Sequence, residues 1–223
     1  MKGDAFILFF KYPEHGAVKT RLARALGDDL AYEFYLRFLT DIASMAYEVN
    51  AEKVMVHDGP DAAVFSDFPS WRVIRQRGKD IGERMYNASL DVFELGFERA
   101  VLIGSDCPDL PARMINQAFT KLAAADVVLG PGTDGGYYLF GCNRDCLCKS
   151  MFSGIPWSTN AVFTETLKCV AQAGFVCARL EPWSDIDEID DLKQYYMRNR
   201  NRALMSQTMK YLDGTGIFNA QKY

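Results

Sequence analysis

The stretch Lys11-Tyr12-Pro13-Glu14-His15-Gly16-Ala17-Val18-Lys19-Thr20-Arg21-Leu22 sets three cations and a glycine directly after the apolar run Ala5–Phe10. A loop of this kind running into a helix start is suited to an anion. The free backbone N–H groups and the helix dipole favour negative charge, and Lys19 and Arg21 add to it. It is not a Walker A loop, because two residues separate Gly16 from Lys19 where that motif needs Gly-Lys adjacent. A solvated basic turn is the structural alternative. A second polar stretch, Gly104-Ser105-Asp106-Cys107-Pro108-Asp109, follows the apolar run Ala100–Ile103. A carboxylate at the end of a buried strand is costly unless it meets a cation, so Asp106 is a candidate metal ligand. Hard oxygen ligands beside a phosphate point to Mg²⁺ or Mn²⁺. Asp109 is expected to cap the helix that follows.

Two further stretches have the same placement. In Gly130-Pro131-Gly132-Thr133-Asp134-Gly135-Gly136-Tyr137-Tyr138, the glycines permit a close backbone approach to a ligand, although Asp-Gly is also a hairpin signal. Trp183-Ser184-Asp185-Ile186-Asp187-Glu188-Ile189-Asp190-Asp191 holds five carboxylates at an expected strand–helix junction. Asp187 could cap the last helix, with Asp190 and Asp191 on its first turn. Asp185 or Asp187 could equally meet Asp106 and complete a metal site. His15 in the first loop, His57 at a strand end and Trp157 in Ile155-Pro156-Trp157-Ser158-Thr159 each admit a ligand contact or a plain packing role.

Short apolar runs alternating with helical patterns must position these stretches, which is the signature of βαβ units and a mainly parallel sheet with helices on both faces. Expected strands are 5–10, 53–57, 72–75, 100–103, 127–130, 137–140 and 176–180. Expected helices are 29–49, 81–95, 112–125 and 161–173, with a last one over 187–202. In such sheets ligands bind beyond the carboxyl ends of the strands, where the polar stretches fall. With 223 residues and 49% hydrophobic content, one α/β domain is expected over 1–202, followed by a tail over 203–223.

The net charge of −4 argues against a nucleic-acid partner. No run approaches the ~18 apolar residues of a membrane span, and the first apolar run suits a buried strand better than a signal peptide, so a cytoplasmic location is expected. The six cysteines read as reduced thiols, since Cys142-x3-Cys146-x-Cys148 matches no zinc-knuckle or iron–sulfur spacing.

Taken in order, several motifs resemble a known family: Phe9-x-Lys11-x-Pro13-x-x-Gly16-x-Val18-Lys19-Thr20-Arg21-Leu22, Gly78-x-Asp80-Ile81-Gly82-Glu83-Arg84-Met85, Gly104-Ser105-Asp106-Cys107-Pro108, Gly130-Pro131-x-x-Asp134-Gly135-Gly136-Tyr137-Tyr138-Leu139, Ile155-Pro156-Trp157-Ser158-Thr159 and Trp183-x-Asp185-Ile186-Asp187. The pattern spans about residues 5 to 195 and resembles the GT-A glycosyltransferases, or nucleotide-diphospho-sugar transferases, often associated with radical-SAM proteins. It is more distantly similar to phospholactate guanylyltransferases and molybdenum-cofactor nucleotidyltransferases. A departure is Ile81, where such proteins usually carry Leu. The resemblance implies a single-domain, Rossmann-like GT-A fold, Lys19 and Arg21 near the donor phosphates, and a metal on Asp106 and Asp187. It also implies a nucleotide lying near Gln76, Gly78, Asp80 and Arg84, with Lys11 and Gly16 on the phosphate side.

The expected activity is a metal-dependent transfer from a nucleotide-activated donor to a small-molecule acceptor, with Asp106, Asp134, Lys19 and Arg21 as the catalytic set. Glycosyl transfer from a nucleotide sugar is the leading form, and Asp134 is then a general base. Nucleotidyl transfer with loss of pyrophosphate is the alternative. A noncatalytic nucleotide-binding protein is a rival from another class. A phosphatase with a strand-end Asp nucleophile fits less well, because Pro108 stands where such enzymes carry a second Asp.

Overall fold

A computed structural model describes residues 2–60, 70–201 and 206–218. One seven-stranded sheet has the order β3-β2-β1-β4-β6-β5-β7. Its strands are β1 (Lys2–Phe10), β2 (Glu52–His57), β3 (Arg72–Arg75), β4 (Phe97–Ile103), β5 (Val127–Pro131), β6 (Tyr137–Asn143) and β7 (Cys177–Arg179). All neighbours pair in parallel except β6, which runs antiparallel to both β4 and β5. The Gly132–Gly136 turn explains the reversal, being too short for the crossover that a parallel pair needs. The helices are α1 (Thr20–Leu26), α2 (Asp28–Ala46), α3 (Ile81–Glu94), α4 (Ala112–Lys121), α5 (Val162–Gln172), α6 (Ile189–Asn199) and α7 (Gln207–Thr215).

Both faces of the sheet are covered, which is why the central strands read as unbroken apolar runs. On β1, Phe6, Leu8 and Phe10 turn to the face packed by Tyr35, Leu39 and Ile42 of α2 and Met114, Ile115 and Ala118 of α4. Ala5 and Ile7 turn to the other face, against Met85, Ala88 and Val92 of α3 and Val170 of α5. This alternation fixes the strand register, because a slip of one residue would exchange the two sets.

A third cluster lies away from the sheet, where α1, α2, α6 and α7 meet through Leu22, Phe34, Phe38, Leu192, Tyr195, Met209 and Leu212. The expected helix at 29–49 begins one residue early, because Gly27 (φ 85°) breaks the chain between α1 and α2. The expected last helix is shorter than 187–202. Glu188 and Asp191 form a capping box at its start, and it ends at Asn199. The expected boundary between residues 202 and 203 lies outside the described residues. Beyond it, α7 is held by Asp41 of α2, whose carboxylate accepts from Ser206 Oγ at 2.7 Å, Gln207 N at 2.7 Å and Thr208 N at 2.9 Å.

A carboxylate on two backbone N–H groups at a helix start is a strong cap. Asp41→Ala is expected to cost about 2 kcal/mol, a fall of about 4–8 °C in Tm for a chain of this size. An unchanged melting curve would mean that α7 contributes nothing to the folded core.

Candidate functional site

The site is built where β1 and β4 end. Ile186 N donates to Asp106 O at 2.9 Å, which ties the loop after β4 to the segment leading into α6. Ile186 itself is fully buried, so Asp185 and Asp187 on either side of it are displayed outward. Because Glu188 is the N-cap of α6, Asp187 is released from capping; its own N–H is held by Asp191 Oδ2 at 3.1 Å. Asp106 and Asp187 thus converge from distant parts of the sequence.

Lys19 lies between them. Its Nζ donates to Asp187 Oδ1 at 3.0 Å, to Ile186 O at 2.6 Å and, in a close ion pair, to Asp106 Oδ1. These partners use all three donors of the ammonium. The Lys19 side chain is only 5% exposed, while each carboxylate is 42% exposed. Burial alone would push the lysine pKa down, but the charges and hydrogen bonds of Asp106 and Asp187 outweigh it and hold the pKa above the ordinary lysine value. Lys19 is also the N-cap of α1 and adopts the left-handed conformation (φ 47°, ψ 43°). That backbone costs a non-glycine residue about 1–2 kcal/mol and persists only where surrounding contacts enforce it.

The lysine opens onto a cleft of about 530 Å³ lined by Lys11, Lys19, Arg21, Arg84, Asp58, Gln76, Tyr35, Ser105, Asp106 and Asp187. Arg21 is 55% exposed, with Nη1 3.7 Å from Asp187 Oδ2. Lys11 Nζ donates to Ala17 O at 2.7 Å, which closes the loop on itself. Gln76 Nε2 donates to Phe10 O at 2.9 Å and Val56 O at 3.2 Å, joining the ends of β1 and β2. A second cleft of about 400 Å³ adjoins the first and shares Arg21, Asp106 and Asp187 with it. Asp134, Asp185, Trp157 and Trp183 also line it. Burial and the neighbouring Asp187, Asp134 and Asp106 push the Asp185 carboxyl up to about 6.

Of the residues singled out in the sequence, Lys11, Lys19, Arg21, Arg84, Asp106 and Asp187 line the first cleft and Asp134 lines the second. Gly16, Gly78 and Asp80 line neither. Gly78 (φ 143°) lies so close to Arg84 that an added Cβ would come within 2.8 Å of its N. Asp80 Oδ1 caps α3 by accepting from Glu83 N at 2.8 Å. Gly78 and Asp80 shape the wall that carries Arg84, whose N donates to Asp80 O at 3.0 Å.

His15 is engaged with Asp29 at 2.7 Å, and buried His57 accepts from Gly59 N at 3.1 Å. Trp157 has the packing role and also borders a cleft. It packs so tightly on Gly82 that a Cβ there would meet its ring at 2.6 Å, and it lines the second cleft. All six cysteines are unbridged, and Cys146 Sγ lies 3.4 Å from Asp126 Oδ1.

Asp109 does not cap α4, whose N-cap is Pro111 with no side-chain bond. It is 3% exposed and accepts from Arg198 Nε at 2.6 Å, Arg198 Nη2 at 2.9 Å and Asn199 Nδ2 at 2.7 Å. This bidentate pair pins α6 to the loop after β4 and so fixes where Asp187 can stand. Sequence reasoning also missed Tyr35. Its buried hydroxyl donates to Lys11 O at 2.7 Å and lies 3.2 Å from Ser105 Oγ, bridging the two loops that supply the cleft. Nothing in the sequence marks it, since on α2 it follows the apolar periodicity.

The mainly parallel sheet, with polar loops at the carboxyl ends of β1 and β4, is a Rossmann-like fold of the GT-A-like type, shared with a related protein of solved structure. The chain belongs to the family described as "Uncharacterized protein conserved in bacteria (DUF2064)", whose sequence model matches residues 41–159. A protein from Desulfovibrio desulfuricans G20, described provisionally as a nucleotide-diphospho-sugar transferase, is 35% identical with a TM-score of 0.87 over 95% of this chain and 94% of that one. CMP:2-keto-3-deoxy-manno-octonic acid synthetase, solved with CTP, shares the fold at 13% identity with a TM-score of 0.55, over 87% of this chain and 98% of that one. Rv0371c from Mycobacterium tuberculosis H37Rv, solved with manganese, does so at 14% identity with a TM-score of 0.50, over 87% and 97%. No curated protein matches the sequence.

Arg198→Met leaves the buried Asp109 carboxylate without its cation, with only the Asn199 and Trp183 donors, and is expected to cost about 3 kcal/mol in urea unfolding. The double variant with Asp109→Asn is expected to cost less than the sum of the two single changes. Strict additivity would show that the pair does not anchor α6.

Proposed function

We propose that this chain is a metal-dependent transferase that takes a nucleotide-diphospho-sugar and passes the sugar to an acceptor hydroxyl. The observation that carries this reading is the pair of carboxylates, Asp106 and Asp187, meeting at one buried ammonium on the rim of a cation-lined cleft. The donor's diphosphate suits Lys19, Arg21, Lys11 and Arg84, with the nucleoside reaching towards Gln76 and Asp58. The related protein from D. desulfuricans supports a sugar-nucleotide donor.

The residues present fit a hard divalent ion. Asp106 in the loop after β4 and Asp187 in the segment before α6 supply carboxylate oxygens, and no third His, Cys, Asp or Glu joins them among the described residues. A site of this kind suits Mg²⁺ or Mn²⁺, which take one or two carboxylates and complete their shell with phosphate oxygens and water. Bound on Asp106 and Asp187, such an ion would supply charge neutralisation on the departing diphosphate. Lys19 and Arg21 add to that neutralisation, in a site where fixed charges act more strongly than in water. One oxygen of Asp134 is fixed by Gly136 N at 2.9 Å, which orients the carboxylate in the second cleft to take the acceptor's proton. As the acceptor oxygen bonds to the anomeric carbon, the carbon–oxygen bond to the phosphate breaks and the nucleoside diphosphate leaves. No helix among the described residues is long and apolar enough to cross a membrane.

The test is product analysis after incubation with nucleotide sugars and with nucleoside triphosphates, alongside thermal shift with and without Mn²⁺. Sugar transfer with release of a nucleoside diphosphate is expected. Asp106→Asn should lower the rate about a hundredfold or more and abolish the metal-dependent shift. Release of pyrophosphate without sugar transfer would establish nucleotidyl transfer instead, and binding without turnover would mark a noncatalytic nucleotide sensor.

A further inference from the structure

The two clefts differ in charge. Lys11, Lys19 and Arg84 line the first together with Arg21, whereas Arg21 is the one cation on the described lining of the second. Facing it there are Asp106, Asp134, Asp185 and Asp187. The metal and Lys19 would occupy Asp106 and Asp187, and Arg21 already leans on Asp187 at 3.7 Å. Asp134 and Asp185 remain. An acceptor bearing a phosphate or carboxylate would therefore enter a concave site whose remaining charges repel it.

A molecule rich in hydroxyls and without negative charge meets no such repulsion. Its hydroxyls can donate to Asp134 and Asp185, and its apolar face can lie against the indole of Trp157. The ring of Trp183 already carries the Arg198 guanidinium 5.9 Å from its centroid, held there by the Asp109 fork. A cleft of about 400 Å³ accommodates a molecule of that size.

We infer that the acceptor is a hydroxyl-rich molecule of monosaccharide or polyol size that carries no negative charge, bound beside Trp157 and Asp185 with its reacting hydroxyl at Asp134. The inference rests on the transferase reading and adds the substrate class of its second subsite.

Saturation-transfer NMR on the full chain tests it, using neutral hexoses, pentoses and polyols beside gluconate and glucose 6-phosphate. The neutral probes are expected to give signals that disappear in Trp157→Ala and weaken in Asp185→Asn. Gluconate and glucose 6-phosphate are expected to bind at least about tenfold more weakly. Preference for either anion overturns the assignment, as does the absence of binding by every neutral probe. So does a neutral signal indifferent to both substitutions. Thermal shift with nucleoside diphosphates on the same samples separates the two levels. Nucleotide binding with an anionic acceptor preference removes only the acceptor class, whereas no nucleotide binding removes the transferase reading beneath it.

Discussion

The contact on which the site depends is the ammonium of Lys19 held by carboxylates from two other loops. It joins residues 168 positions apart in the chain, Lys19 and Asp187, through a group almost wholly removed from water. Taken singly, the partners would be unfavourable. A buried lysine loses its hydration, and two carboxylates at one point repel each other. Together they neutralise most of that cost, and the carboxylates keep enough exposure to reach a ligand. The same contact holds the start of α1 in a left-handed turn and sets the loop after β4 against the segment before α6. A ligand arriving there acts on a joint that the fold has already assembled.

That joint explains the surrounding architecture. Tyr35 ties the Lys11 loop to Ser105, Ile186 ties its backbone to Asp106, and the Arg198–Asp109 fork holds α6 in place. Each bond restrains one of the three loops that supply Lys19, Asp106 and Asp187. The third apolar cluster, with α7 capped by Asp41, backs these restraints by packing α1 and α6 against α2. Precise placement matters for the proposed chemistry, because charges fixed in advance need no reorganisation as the leaving group departs.

Much of this was legible in the sequence. Apolar runs marked the central strands, because strands buried on both faces carry little else, whereas the edge strands β3 and β7 are short and largely unburied; polar stretches after β1 and β4 marked the candidate site. The reversal of β6 was legible only as the hairpin signal at Asp134-Gly135, and its insertion between β4 and β5 was not. Lys19 was assigned to phosphate, but its hold on Asp106 and Asp187 depends on a three-dimensional meeting that spacing cannot report. Asp109 looked like a helix cap because it stands just before a helix. Pro111 took that position, and the carboxylate was drawn to a cation nearly ninety residues away. Tyr35 carried no local signal, since a tyrosine on the apolar face of a helix looks like core until its hydroxyl finds a partner.

The central claim is that Asp106 and Asp187 form one cation-binding point that a donor diphosphate completes. Titration of Mn²⁺ followed by electron paramagnetic resonance, with and without a nucleoside diphosphate, tests it most directly. The account predicts one bound ion per chain, held more tightly when the diphosphate is present and lost in both Asp106→Asn and Asp187→Asn. An ion that binds equally well in either variant, or a nucleotide indifferent to the metal, would contradict it.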